Sequence, residues 1–119
     1  MKITNIAETS KELTAREKLM MEDVTDAFKL NEITDPIIIT PAQYAVLHVE
    51  DEDPDVDPYD KFIVIDNDGN KYTTGSKSFM EAFKKIWNVM SEEDEEYQIK
   101  VYKVKSQKRD GSFLTCSIV

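Results

Sequence analysis

Asp68-Gly69 sets the tightest local constraint in this 119-residue chain. The pair lies between Lys61-Phe62-Ile63-Val64-Ile65-Asp66 and Asn70-Lys71-Tyr72-Thr73-Thr74, two short β-favouring runs. Asp-Gly suits a tight hairpin turn because both central residues must accept positive φ, at no steric cost for glycine. The spacing therefore predicts an antiparallel hairpin over 61–74. Upstream, Pro36 to Val49 is rich in β-branched residues and interrupted by Pro41. That predicts one bent strand or two short ones.

A helix should follow the hairpin. Ser78-Phe79-Met80-Glu81 matches a capping box, and Phe79, Ala82, Phe83, Ile86 and Met90 recur at helical spacing. Lys84, Lys85 and Asn88 fall on the outer face, so the apolar stripe reads as core packing. Two further strands are predicted at 97–105 and 112–119, joined by a polar turn ending in Gly111. Strand, strand, strand, helix, strand, strand is the element order of a Greek-key barrel of the OB type. The expected class is mainly β (α+β): an OB-like five-stranded antiparallel barrel over 36–119, with a helix between strands 3 and 4. Residues 1–35 form an N-terminal extension packing on that core. Met20, Val24, Ala27 and Phe28, behind a Thr14-Ala15-Arg16-Glu17 capping pattern, favour a helix over 14–28. Alternation at Leu13, Ala15, Leu19 and Met21 leaves a strand as the alternative there.

Charge decides which function classes survive. There are 24 acidic residues against 15 basic ones, a net −9, which at first sight excludes a nucleic-acid binder. Located along the chain, seven carboxylates fall in 50–60 and five in 92–96. Both runs read as solvated loops. Residues 97–119 instead carry Lys100, Lys103, Lys105, Lys108 and Arg109 against Asp110 alone, a local +4. No apolar stretch approaches the roughly 18–20 residues that span a bilayer, and the N-terminus lacks a signal-peptide core. A lone Cys116 excludes an internal disulfide framework. A cytoplasmic protein without a membrane partner is expected.

Enzymatic patterns are missing from the sequence. His48 lies in an apolar strand with no Ser or Cys partner nearby, and reads as structural. Cys116 alternates with Leu114 and Ile118 and reads as a buried small hydrophobe. One His and one Cys do not make a structural zinc site. Asp53-x-Asp55-x-Asp57 opens like a calcium loop, but Pro58 stands where Gly is required and Val64 where Glu is required. Only three glycines occur, and they form no phosphate loop. No catalytic residue, metal site or cofactor is expected.

The strand faces are more informative. In 97–105, Ile99 and Val101 share one face, and Lys100, Tyr102 and Val104 the other. In 112–119, Leu114, Cys116 and Ile118 alternate with Phe113, Thr115 and Ser117. With the aliphatic set inward, Lys100, Tyr102 and Phe113 point outward beside the basic turn. Tyr44 on the first strand, and Lys71 and Tyr72 on the hairpin, add further rings and charge. Aromatics interleaved with lysine suit single-stranded nucleic acid, whose bases stack on rings while Lys and Arg track phosphates. The same pattern also fits aromatics that fill a second core.

Several of these segments together resemble the single-stranded DNA-binding proteins of small short-tailed phages with protein-primed DNA replication. The resemblance rests on Asp68-Gly69-Asn70-Lys71-Tyr72, Ser76-Lys77-Ser78-Phe79-Met80-Glu81-Ala82, Tyr97-Gln98-Ile99-Lys100-Val101 and the tail Phe113–Val119. Phe28-Lys29-Leu30-Asn31 leading to Ile37-Ile38-Ile39 adds to it. Residues 1–27 and the acidic loop 50–60 match less well. The resemblance implies non-sequence-specific binding of displaced strands during phage replication, in the cytoplasm of an infected bacterium. Tyr44, Tyr72, Tyr102 and Phe113 would then stack bases. Lys71, Lys100, Lys103, Lys105, Lys108 and Arg109 would hold phosphates. The acidic loops would repel duplex or meet replication proteins such as the DNA polymerase. Two rivals stand beside it: an acidic DNA mimic that inhibits a host nucleic-acid enzyme or immune nuclease, and a protein-interaction module using a sheet edge.

Overall fold

The β-branched run after Pro36 divides at Thr40 in the computed structural model, which describes residues 2–93, 95–105 and 111–119. Strand β3 (Ile37–Ile39) and strand β4 (Pro41–Asp51) join different sheets. Pro41 has no amide hydrogen for a ladder, so the chain can change partners there. The other elements are β1 (Lys2–Thr9), α1 (Ala15–Glu22), β2 (Phe28–Lys29), β5 (Tyr59–Asp66), β6 (Lys71–Thr74), α2 (Lys77–Met90), β7 (Ile99–Lys105) and β8 (Ser112–Ile118). One sheet runs β1-β4-β5-β6-β2 and the other β3-β7-β8. The mixed α+β class is as expected. The strands, however, make two open sheets rather than one closed five-stranded barrel, because β1 takes one edge of β4 while β3 pairs with β7.

The fold divides into two compact units, residues 1–29 with 42–75 and residues 30–41 with 76–119. In the first, β1 pairs antiparallel with β4 from Lys2 opposite Asp51 to Thr9 opposite Ala45, with an irregularity between Ile6 and Glu8. No sequence signal marks this strand, because its alternation is interrupted at Ala7. Helix α1 begins at the expected capping box: Glu17 N–H donates to Thr14 Oγ1 at 3.2 Å, and Thr14 N–H to Glu17 Oε1 at 3.3 Å. It ends six residues before the expected Phe28. Asp23 caps it, accepting the Thr25 N–H at 3.1 Å. The buried face also shifts by one residue: Met21 is buried, while Met20 is exposed. Met21 packs with Leu13, Ala45, Leu47 and Ile63.

The predicted hairpin is present, with a different turn. Gly69 alone takes positive φ, at +86°, and its N–H donates to Asp66 O at 3.1 Å. This is the three-residue loop that ends in a left-handed glycine. The Asp66 carboxylate selects it by accepting the amides of Asp68 at 3.0 Å and Asn70 at 2.8 Å.

In the second unit, β7 pairs with β3 over Ile37–Ile39 and with β8 along its whole length. Ile39, Ile99, Val101, Leu114 and Cys116 are buried, as are Phe79 and Phe83 of α2. The aromatic stripe of α2 forms a ladder, with Phe79–Phe83 centroids 5.8 Å apart and Phe83–Trp87 centroids 5.9 Å apart. The helix cap is Ser76, two residues earlier than expected, and its side chain accepts the Phe79 N–H at 3.2 Å. Ser78 instead donates to Leu114 O at 2.6 Å, tying the helix to β8. Phe83→Ala should lower stability by about 3–5 kcal/mol. Urea unfolding should show this as a lower midpoint with an unchanged slope.

Candidate nucleic-acid interface

The β7–β8 register decides which side chains share a face. Tyr102 stands opposite Thr115, Val104 opposite Phe113 and Lys100 opposite Ser117. Directly opposed residues lie on the same side of a sheet, so Lys100, Tyr102, Val104 and Phe113 share the face turned away from Val101 and Leu114. β3 adds Ile38, which is opposite Lys100. Phe113 is 43% exposed and Ile38 51% exposed. Tyr102 is half-buried, and Lys100 Nζ lies 5.6 Å from its ring centroid. A cation beside an aromatic face, with an open ring one strand away, can hold one phosphate and offer stacking surface to bases.

Ile38 is a member of this face that the sequence pattern does not single out. Alternation along Ile37-Ile38-Ile39 turns the middle residue away from the other two. What the sequence did not supply was the pairing of β3 with β7.

The remaining cations of the basic hairpin behave differently. Lys103 and Lys105 have the same parity as Ile99 and Val101, so they project from the opposite face to Lys100. Both are exposed, and Lys103 Nζ donates to Asn31 O at 2.8 Å. The β3 register ends at Val101, leaving 102–105 and 112–115 as a ribbon with rings on one side and lysines on the other. Lys108 and Arg109 lie outside the described residues.

Tyr44, Lys71 and Tyr72 belong to the other unit, where each has a structural task. Tyr44 is buried, at 7% exposure, so its ring offers no face for a base. It stacks on Phe62 at 5.5 Å and donates its hydroxyl to Glu8 at 2.8 Å. Burial, with the Glu8 carboxylate second, pushes its phenol up to about 12. Lys71 donates to Met20 O, and to Asp23 O at 2.7 Å, neutralising the carbonyl end of α1. Tyr72 meets Phe28 edge-on at 5.9 Å and donates to Asp66 at 3.0 Å. Burial and then Asp66 push it up to about 12 as well. At Asp66, burial favours the neutral acid. The hydrogen bonds from Asn70, Tyr72 and the Asp68 amide together outweigh this and hold the carboxyl below its ordinary range.

His48 has the structural setting expected of it. Its Nδ1 is 2.9 Å from Asp60 Oδ1 and its Nε2 is 3.1 Å from Glu50 Oε1. Asp60 first, then Glu50, raises its pKa above the usual imidazole value. Burial pushes the Cys116 thiol up to about 12, so it is neutral and a poor nucleophile at neutral pH. Of the acidic run expected as a loop over 50–60, residues 52–58 form an exposed loop, while Glu50 and Asp51 end β4 and Tyr59 and Asp60 begin β5. No cluster of three or more His, Cys, Asp or Glu groups suited to a metal occurs among the described residues. No helix there is long and apolar enough to cross a membrane.

A raised folded pKa means that the His48 contribution is fully present below about pH 6.5, the unfolded value, and is lost as pH rises through the folded one. The melting-temperature gap between wild type and His48→Gln should therefore be widest in mildly acidic solution, about pH 5 to 6.5, and close on the alkaline side. A gap that grows with pH would contradict this assignment.

No family model matches the chain, and comparisons with curated proteins and with solved structures find no match either.

Proposed function

We propose that this is a non-enzymatic protein that binds single-stranded DNA without sequence preference, coating displaced strands in phage DNA replication. The observation that carries the reading is the shared outward face of Lys100, Tyr102 and Phe113. Tyr102 and Phe113 stack bases, Lys100 neutralises a phosphate, Val104 provides apolar surface beside Phe113, and Ile38 extends the face beyond Lys100. Lys103, Lys105, Lys108 and Arg109 add the positive field that draws the strand to this end of a −9 chain. The resemblance to phage single-stranded DNA-binding proteins supports the same conclusion. So does the OB-like element order of β4, β5, β6, α2, β7 and β8. Tyr44, Lys71 and Tyr72 are left to their structural roles.

A second reading, an acidic DNA mimic, is favoured by the exposure of residues 52–60. The two separate cleanly. Neutralising the carboxylates of 50–60 should abolish mimicry and leave strand binding nearly intact.

Titration with unlabelled oligothymidylate should quench the intrinsic fluorescence and weaken with salt. Tyr102→Ala and Phe113→Ala should each reduce affinity about fivefold to about 150-fold, the worth of one stacked base. Lys100→Gln should weaken binding and flatten its salt dependence. No binding at about 20 mM salt, the most permissive condition for phosphate contacts, would overturn the reading.

A further inference from the structure

Tyr102 and Phe113 stand at opposite corners of one square of the β7–β8 ladder. Tyr102 is opposite Thr115 and Val104 is opposite Phe113, so all four side chains rise from the same face. The two rings occupy one diagonal, and the smaller, half-buried Val104 and Thr115 occupy the other. This arrangement leaves a trough between the rings, with Val104 and the Thr115 hydroxyl on its floor.

The dimensions of an antiparallel pair set the width of the trough. Two residues along a strand span about 6.8 Å, and one step across to the next strand about 4.8 Å. Neighbouring bases of a stack lie about 3.4 Å apart. The level of Tyr102 and the level of Phe113 are therefore two stacking distances apart, which leaves room for one base and not for two. A base lying on Tyr102 is wide enough to cross the single step between strands and meet Phe113 with its other face.

Lys100 decides which face of Tyr102 is available. It lies two residues before Tyr102 on the same strand, and its Nζ stands over the ring, 5.6 Å from the centroid. The ammonium takes that side of the ring. The other side looks along the strand towards the level of Val104 and Phe113. A continuous stack of bases would need both faces of Tyr102, so any stack is broken there. Phe113 is 43% exposed, and β3 reaches only Val101. On the side away from β8, no strand therefore flanks the trough among the described residues.

We propose that Tyr102 and Phe113 clamp a single base between them, with Val104 and Thr115 beneath it and Lys100 holding the phosphate of the adjoining nucleotide. The clamp rests on the single-stranded DNA reading and gives it a stoichiometry, one base for two rings rather than one base for each. A base in a duplex cannot enter, because its stacked neighbours fill the space that the two rings must take. The clamp accepts a strand where one nucleotide has left its stack, whichever base it carries, since every base has a π face on either side.

A double-mutant cycle with oligothymidylate tests the sharing. Residues that act on one partner couple by about twofold to about 150-fold, whereas the effects of independent residues multiply. Tyr102→Ala and Phe113→Ala together should therefore weaken binding by at least about threefold less than the product of their separate losses. Losses that multiply would place a base on each ring and overturn the clamp, while wild-type binding would still uphold the single-stranded reading. Thr115→Trp fills the trough with a further aromatic surface. It should weaken binding by about tenfold or more, the worth of one stacked base, with an unchanged circular dichroism spectrum. Unchanged or tighter binding would overturn the clamp, since two independent rings would only gain from a third. If an alanine variant does not fold, Thr115→Trp decides; if Thr115→Trp does not fold, the cycle decides. A wild type that binds no oligothymidylate overturns the reading and the clamp together.

Discussion

The pairing of β7 with β8 is the constraint on which the second unit depends. Ile99, Val101, Leu114 and Cys116 can be buried together against Phe79 and Phe83 only in the observed register. A slip of β8 by one residue against β7 would turn Phe113 into the core and Leu114 and Cys116 outward. The candidate interface is therefore the reverse side of the core, and the burial that stabilises the sheet also aims Tyr102 and Phe113. Ser78 reinforces this arrangement by fixing α2 to the Leu114 carbonyl.

In the first unit, polar side chains carry much of the local architecture. Asp66 closes the β5–β6 loop through two backbone amides and anchors Tyr72. Lys71 ties the same hairpin to the end of α1. The Lys71 ammonium is held by two carbonyls, and the half-buried Tyr72 is engaged by Asp66 and by the edge of Phe28. Lys71 and Tyr72, expected from residue type to bind a strand, each have intramolecular partners in this unit.

What was legible in the sequence followed from strong local signals. The break at Pro41, the strands at 61–66 and 71–74, the amphipathic stripe of α2 and the outward parity of Lys100, Tyr102 and Phe113 each follow from spacing. The rest depended on contacts made far along the chain. β1 has an interrupted alternation and is held by pairing with β4 some forty residues away. The end of α1 depends on Asp23 and on Lys71, about fifty residues on. Tyr44 is withdrawn from the surface by Phe62 and Glu8. Sheet closure was inferred from element order, which does not say that β3 would leave β4 for β7.

The division at Thr40 also bears on how the molecule is made. Ile37–Ile39 emerges about sixty residues before β7, the strand that covers it. The first unit, by contrast, has all its strands once residue 75 is out. A newly made chain therefore carries three consecutive isoleucines as an unpaired strand through much of its synthesis. Such a segment is prone to pair with its neighbours on other chains. The yield of folded protein should thus depend on how quickly translation passes through the stretch that encodes α2 and β7.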